Sequence, residues 1–146
     1  MRKALSFLLC LFLTAGLISV ANAQSVSCPE ARLTFSVPDS WISDPLPGPD
    51  DPGLCLLLRG DGLTLSVYVD DTGGFQVFTG DDTESSVVYC AGIEMTFVSG
   101  RSGEGDYRIY TWSDLRDQVQ FYFLITGSSK SSRRIIENIM DSIVRK

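Results

Sequence analysis

Residues 119–126, Val-Gln-Phe-Tyr-Phe-Leu-Ile-Thr, decide the fold class, because large apolar side chains occupy every second position. In an extended strand successive side chains point to opposite faces, so this alternation indicates a strand with one strongly apolar face. The same period of two is present at 33–37 and at 63–69. All three segments are predicted to be half-buried antiparallel strands.

Short polar turns join the predicted strands into hairpins. Gly60-Asp61-Gly62 lies between a strand at 55–59 and the strand at 63–69, and glycine supplies the positive φ that a tight hairpin needs. The proline-rich segment 43–53 has no periodicity and is predicted to be a loop. The remaining predicted strands are 75–78, 86–89, 93–98 and 107–112, the last joined to 119–126 through 113–118.

The last segment of the chain has the period of an α-helix. Its polar residues fill one side, while its apolar residues recur three and four positions apart. Such a helix packs its apolar stripe on a sheet, so residues 31–146 are predicted to form one α+β domain, an antiparallel meandering β-sheet packed against a C-terminal amphipathic α-helix. The apolar residues are Ile135, Ile136, Ile139, Met140, Ile143 and Val144.

Residues 1–23 have the three parts of a cleavable secretory signal peptide. Arg2 and Lys3 precede an apolar run, and Ala21-Asn22-Ala23 follows it as the cleavage site. Cleavage leaves residues 24–30 as an extension ahead of the domain. No later segment approaches the roughly 20 apolar residues that cross a bilayer. The mature chain is therefore predicted to be exported to the periplasm or the extracellular space, without membrane insertion.

The charge of the chain argues against nucleic acid as a partner. It has 12 basic and 18 acidic residues and a formal net charge of −6, and loss of Arg2 and Lys3 makes the mature chain more acidic still. Phosphate backbones are bound by clustered Lys and Arg, and an acidic surface repels them. We expect a protein partner instead.

Three cysteines, Cys28, Cys55 and Cys90, remain after the predicted cleavage, and an exported chain can keep a disulfide. If the first two strands of the domain pair as a hairpin, Cys28 and Cys55 lie at opposite ends of it. Bonded cysteines need Cα atoms within about 7 Å. The sequence therefore predicts a disulfide of Cys90 with Cys28 or Cys55.

The absence of histidine limits the chemistry of this chain. Ser-His-Asp and Cys-His nucleophiles both need an imidazole, and histidine is also a common zinc ligand. No catalytic motif replaces them, so the chain is predicted not to be an enzyme and to need no cofactor.

Carboxylates in predicted loops form the alternative site. Hard oxygen ligands of this kind bind Ca²⁺, and a pair of acids can hydrolyse a glycosidic bond. Solvated turn residues are the simpler interpretation, and a calcium-binding or carboxylate-dependent hydrolytic protein is the alternative function. The candidate residues are Asp70, Asp71, Asp81 and Asp82.

Two tryptophans and one hairpin turn are the candidates for partner binding. Trp41 precedes the proline-rich loop, and Trp112 begins a turn that contains Leu115 and Arg116. Exposed loops on a rigid sheet are common recognition sites, and tryptophan is enriched at the centres of interfaces. Packing in the core or at its rim is the interpretation that we favour for both indoles.

The two ends of the predicted domain together resemble a known family. Phe35-Ser36-Val37-Pro38-Asp39-Ser40-Trp41 near the start and Ile139-Met140-Asp141-Ser142-Ile143 in the closing helix are similar to the corresponding segments of the PsbP-like superfamily, which has the PsbP or Mog-type fold and includes small exported bacterial members. The resemblance implies a non-enzymatic domain that docks onto a larger protein or assembly. It implies no site residue.

Overall fold

The computed structural model describes residues 22–48, 50–51, 53–70, 82–103, 105–114, 119–127 and 131–146. These residues form ten strands and one helix. In chain order the elements are β1 (Ala23–Cys28), β2 (Leu33–Pro38), β3 (Ile42–Ser43), β4 (Leu54–Gly60), β5 (Leu63–Asp70), β6 (Glu84–Cys90), β7 (Ile93–Ser102), β8 (Gly105–Asp114), β9 (Val119–Gly127), α1 (Ser132–Asp141) and β10 (Val144–Arg145).

The strands form two antiparallel sheets. The large sheet has seven strands in the order β3-β4-β5-β9-β8-β7-β6, and the small sheet has three in the order β1-β2-β10. The α+β class is confirmed, although the sheets are far larger than the helix. In the described residues that helix is not long and apolar enough to cross a membrane.

The core lies between the large sheet on one side and the small sheet with α1 on the other. Phe35 of β2 meets Phe123 of β9 edge to face, with ring centroids 5.3 Å apart. Ile136, Ile139 and Met140 of α1 are buried in the same cluster. Burial of these aromatic and branched side chains is the main stabilising contribution to the domain.

The predicted hairpins are confirmed. Asp61 and Gly62 turn β4 into β5 with φ of 53° and 74°, and Ala91 and Gly92 turn β6 into β7 with φ of 51° and 76°. Two consecutive positive φ values match the twist of the flanking strands. Strands β8 and β9 pair from Tyr107 opposite Thr126 to Asp114 opposite Val119. The strand predicted at 75–78 lies outside the described residues.

Residues 24–30, predicted to precede the domain, contribute a strand to it. Strand β1 pairs along its whole length with β2, from Ala23 opposite Pro38 to Cys28 opposite Leu33. The amide of Gln24 also donates to the carbonyl of Trp41 at 2.6 Å. Residues 1–21 lie outside the described part of the chain, so the signal peptide and its cleavage stay predictions.

The helix ends earlier than its apolar pattern predicts. Its last residue is Asp141, and Ser142 then bonds both to α1 and to the small sheet. The Ser142 hydroxyl donates to the carbonyl of Ile139 at 2.7 Å and accepts from the Ser36 amide at 2.8 Å. Val144 and Arg145 therefore leave the helix and pair with β2 as β10.

Candidate functional site

A groove of about 590 Å³ separates α1 from the part of the large sheet formed by β6, β7 and β8. We call it the α1 groove. It has an apolar floor and a charged rim, which is the usual composition of a surface that binds a ligand or a chain segment. The floor consists of Val88, Phe97, Tyr110, Ile136 and Met140, and the rim includes Glu84, Arg108, Arg133, Glu137 and Asp141.

A second hollow of about 410 Å³ lies beside the α1 groove, between the end of β6 and the hairpin of β7 and β8. Glu84 and Arg108 line both spaces. Arg108 therefore lies where the two meet, within reach of a ligand in either.

The β-sheet positions Arg108 on the covered face. It lies opposite Ser99 of β7 and Ile125 of β9. Because residues two apart in a strand share a face, its side chain points to the same side as Tyr110, towards α1. A buried sheet face normally carries an apolar residue at such a position.

Arg108 also has an unmet hydrogen-bonding capacity. In the described residues the buried side-chain atoms without a partner are Arg108 Nη1, Thr111 Oγ1 and Trp112 Nε1, and Arg108 is the charged residue among them. A guanidinium keeps its charge at all physiological pH values, and leaving a buried donor unpaired is unfavourable. This nitrogen is suited to a carboxylate or another anionic group of a bound molecule.

The other two arginines of these spaces are already paired. Arg133 Nε is 2.9 Å from Glu137 Oε1, and Arg101 Nε is 3.0 Å from Asp106 Oδ1. Their charges are therefore partly neutralised by neighbours on the same element or hairpin. Arg108 differs from them because its Nη1 donates no hydrogen bond to any described group.

Tyr110 forms part of the groove floor beside Arg108. Burial raises its pKa to about 12, with a smaller effect of the same sign from Cys90. Its ring packs on Phe97 with centroids 4.9 Å apart. At physiological pH the phenol is therefore a neutral donor at the groove floor.

Strand β6 borders the groove and is the last strand of the large sheet. Val87 and Tyr89 are 62% and 70% exposed and alternate with the core-facing Val88 and Cys90, and Tyr89 also borders the groove. The Tyr89 hydroxyl donates to Glu94 Oε2 at 2.5 Å, and that hydrogen bond raises the pKa of the phenol. An edge strand with exposed apolar residues can pair with another chain.

The structure buries Trp41 and Trp112 in the core, which is the interpretation favoured from the sequence. Trp41 is 3% exposed, and its Nε1 donates to Asp61 Oδ2 at 2.7 Å. Trp112 is 4% exposed and stacks on Phe121 and Phe123. Trp112 lies on the core-facing side of β8, and Trp41 lies just before β3. Leu115 and Arg116, the other partner-binding candidates, lie outside the described residues.

The acidic candidates are only partly described. Asp70 Oδ2 accepts from the Tyr122 hydroxyl at 3.3 Å, and Asp82 is exposed beside the second hollow. Asp71 and Asp81 lie outside the described residues, so calcium binding stays a prediction. Within the described residues the group of side chains that could hold a metal ion is Cys28, Glu30 and Cys55, with ligand atoms within 4.8 Å of one another.

Contrary to the sequence prediction, Cys28 and Cys55 do not lie at opposite ends of a hairpin. Strand β2 pairs with β1 and β10, while β4 belongs to the other sheet. Where the sheets face each other, Cys28 Sγ and Cys55 Sγ are 2.9 Å apart. All three described cysteines are free thiols. Cys90, the predicted disulfide partner, is buried at the α1 groove, where burial and Asp141 raise its pKa.

Arg108 was not among the site residues predicted from the sequence, although its position carries a signal. In Tyr107-Arg108-Ile109-Tyr110-Thr111-Trp112 the arginine is in phase with Tyr110 and Trp112. A charge within the apolar row of a strand indicates either a buried ion pair or a binding position. The strand predicted at 107–112 is confirmed as part of β8, and the charge in its apolar row is the signal that identifies Arg108.

Comparisons with known proteins support the fold. No protein-family model matches the sequence, and no curated protein matches it either. Among solved structures, the solution structure of cyanobacterial PsbP (CyanoP) from Synechocystis sp. PCC 6803 is similar, with a TM-score of 0.60 and 14% identity over 90% of this chain and 96% of that one.

A crystal structure from Bacteroides thetaiotaomicron VPI-5482 is also similar, with a TM-score of 0.54 and 11% identity. The match covers 84% of this chain but 48% of that protein. At such low identity the likeness concerns the fold alone. The chain has a PsbP-like fold.

Proposed function

We propose that this chain is an exported, non-enzymatic module that binds an extended segment of an envelope or secreted protein. The observation that carries the proposal is the unpaired Nη1 of Arg108 in a groove beside an edge strand. Export is supported by the signal-like residues 1–23, and a non-enzymatic role by the absence of histidine and of a catalytic motif.

The edge of β6 supplies the backbone part of the binding surface. A partner segment that adds to a sheet edge gains main-chain hydrogen bonds, and its alternate side chains enter neighbouring pockets. Strand β6 is seven residues long, whereas β3 at the other edge has two. The longer edge is therefore the one on which such a segment can pair.

The α1 groove supplies the specificity. Its floor of aromatic and aliphatic side chains suits an apolar residue of the partner, and Arg108 suits an acidic one. Because successive side chains of a strand point to opposite faces, only every second residue of the added segment faces the groove. The segment that we propose is extended. It carries apolar and acidic residues at every second position, so that both kinds of side chain face the groove.

The proposal is tested by photo-crosslinking from defined positions in intact cells of a host close to the source. A photoreactive phenylalanine analogue replaces Tyr89 on β6 or, as the matched control, Ile42 on β3, where the native residues are 70% and 61% exposed. We expect one stoichiometric adduct from position 89 and none from position 42. Equal adducts from both positions, or none from position 89, would contradict the proposal.

Two substitutions then separate the edge from the groove. Val87→Lys places a charge on β6, and Arg108→Met removes the guanidinium while keeping apolar bulk. Each is expected to weaken binding of the identified partner at least tenfold in a titration with purified proteins. Ile42→Lys is the control for Val87→Lys, with native exposures of 61% and 62%, and should leave the affinity unchanged.

A further inference from the structure

Cys28 and Cys55 come from different sheets and meet at one point. Cys28 is the last residue of β1 in the small sheet, and Cys55 lies in β4 of the large sheet. Their sulfurs are 2.9 Å apart, which is within about 1 Å of the bond length of a disulfide. The two sulfurs need to approach by less than about 1 Å to reach bonding distance.

A β-bulge in β4 aims Cys55 at Cys28. Leu54 pairs with Tyr68 and Leu56 pairs with Val67, so Cys55 is the extra residue between two consecutive positions of β5. In a regular strand Cys55 and Leu56 would point to opposite faces. The bulge instead lets both pack against the core, which is how bulges re-aim side chains.

We propose that Cys28 and Cys55 form a disulfide that joins the small sheet to the large sheet and leaves Cys90 as a free thiol. The proposal does not depend on the binding function above. It replaces the pairing of Cys90 that the sequence predicts.

The reaction needs an oxidant, for which glutathione disulfide serves. The thiolate of one cysteine attacks glutathione disulfide, forming a mixed disulfide and releasing one glutathione thiolate. The thiolate of the other cysteine then attacks the protein sulfur of this mixed disulfide, forms the new bond and displaces the second glutathione thiolate. Two thiol protons and two electrons leave the protein, and one glutathione disulfide becomes two molecules of glutathione.

The ionisation of the pair indicates which thiol attacks glutathione disulfide. The hydrogen bond with Cys55 lowers the pKa of Cys28, whereas the same hydrogen bond raises the pKa of Cys55. Cys28 is therefore the sulfur that more readily becomes a thiolate, the attacking species in the first exchange. The single Cys55 thiol proton is shared between Cys28 and the Val67 carbonyl oxygen, 3.2 Å from the Cys55 sulfur, and both contacts are given up on oxidation.

The same side chains fit a metal ion less well. In a tetrahedral zinc site with Zn–S bonds of about 2.3 Å, two thiolate sulfurs lie about 3.8 Å apart. The observed 2.9 Å is much shorter. Glu30, the third ligand candidate, is exposed, and its Oε2 is 3.8 Å from Cys28 Sγ. The geometry thus favours a bond between the sulfurs.

Peptide mapping tests the connectivity directly. The full chain is equilibrated with glutathione disulfide, blocked with an alkylating reagent and digested with trypsin. Cleavage after Arg32, Arg59 and Arg101 leaves Cys28, Cys55 and Cys90 on three different peptides. We expect one linked species, joining the peptide that ends at Arg32 to peptide 33–59, and an alkylated Cys90. Fragmentation of the linked species separates Cys28 from Cys10.

The disulfide should also stabilise the fold, because it restricts the unfolded chain between two residues 27 positions apart. Reduction is expected to lower the Tm by about 5–15 °C. The reduction-dependent shift should vanish in Cys28→Ser and in Cys55→Ser and persist in Cys90→Ser. Because each variant is compared with itself under both conditions, any destabilisation by the serine cancels.

Three results would overturn the proposal. The first is a linked peptide that contains Cys90, and the second is full alkylation of all three cysteines after oxidation. The third is a reduced chain that binds one equivalent of zinc tightly while the oxidised chain yields no linked peptide.

Discussion

The two halves of the large sheet have the same alternating sequence pattern but different surroundings. In β5 and β9, Leu65, Val67 and Phe123 are 0% exposed beneath the small sheet and α1. In β6, Val87 and Tyr89 are more than half exposed. The difference arises because β6 is an edge strand and its Val87 and Tyr89 alternate with Val88 and Cys90, which pack on the core. Alternating residues therefore specify that a segment is a strand of the sheet. The elements that pack around the sheet decide which of its strands stay exposed and can bind a partner.

Truncation of an aromatic ring in each half gives the largest expected effect. Phe123 is fully buried and packs on Phe35 and Trp112, so Phe123→Ala should lower the free energy of unfolding by about 3–5 kcal/mol. Phe97 lies at the groove floor and is partly exposed, so Phe97→Ala should cost about 1 kcal/mol. Urea denaturation at equilibrium measures both. Equal losses would mean that the two halves are equally well packed.

A methyl group added at Gly60 tests how tightly the covered half is filled. A Cβ there would lie 2.2 Å from Cδ1 of the buried Trp41 ring. Gly60→Ala should therefore destabilise the fold by about 1–3 kcal/mol through overpacking. Gly103→Ala is the control, because nothing lies within 4 Å of its added Cβ and its change should stay within about 0.5 kcal/mol. A neutral Gly60→Ala would show that the indole is free to move.

Tyr110 lies at the boundary between the two halves of the large sheet. The pH dependence of the free energy of unfolding tests whether its phenol is desolvated there. Its folded pKa of about 12 is above the ordinary value of 10, so the stabilisation is complete below pH 10 and is lost as the pH rises towards 12. Tyr110→Phe should reduce the slope of the free energy of unfolding in that window. Cys90, Arg108, Glu137 and Asp141 are the charged or titratable groups that act on it. An unchanged slope would show that the phenol is not desolvated.

The exposed ion pair of α1 gives the smallest expected effect. Arg133 and Glu137 are 88% and 55% exposed, and such pairs are screened by salt. Glu137→Gln should leave the Tm unchanged at physiological ionic strength. A measurable loss would mean that this pair helps to hold α1 over the open half of the sheet.

Strands β2 and β4 to β9 were predictable, with the hairpins that join them, because their signals are local. Alternation at 119–126 and the paired turn residues Asp61-Gly62 and Ala91-Gly92 each specify structure within a few positions. The α+β class follows from these signals together with the helical period of the last segment. The end of α1 was not predicted, because Ser142 is held by Ser36, which is 106 residues away.

The site was less predictable because it depends on pairing between distant strands. Nothing local places β1 and β2 in a sheet apart from β4, and the bulge at Cys55 leaves no signature in its own residues. The prediction for the cysteines failed at that point. The position of Arg108 in an apolar row could have been recognised from the sequence. Its unpaired nitrogen could not, because that depends on the groups that β6, β7 and α1 place around it.

The position of β10 has a consequence for synthesis of the protein. The two residues of this strand pair with Leu33 and Thr34, and the Lys146 amide donates to the carbonyl of Arg32 at 2.9 Å. The ribosome synthesises β2 more than a hundred residues before β10, the second strand that pairs with it. The small sheet therefore cannot close until residues 144–146 have emerged from the exit tunnel. A stalled chain that lacks residues 144–146 would leave one edge of β2 unpaired.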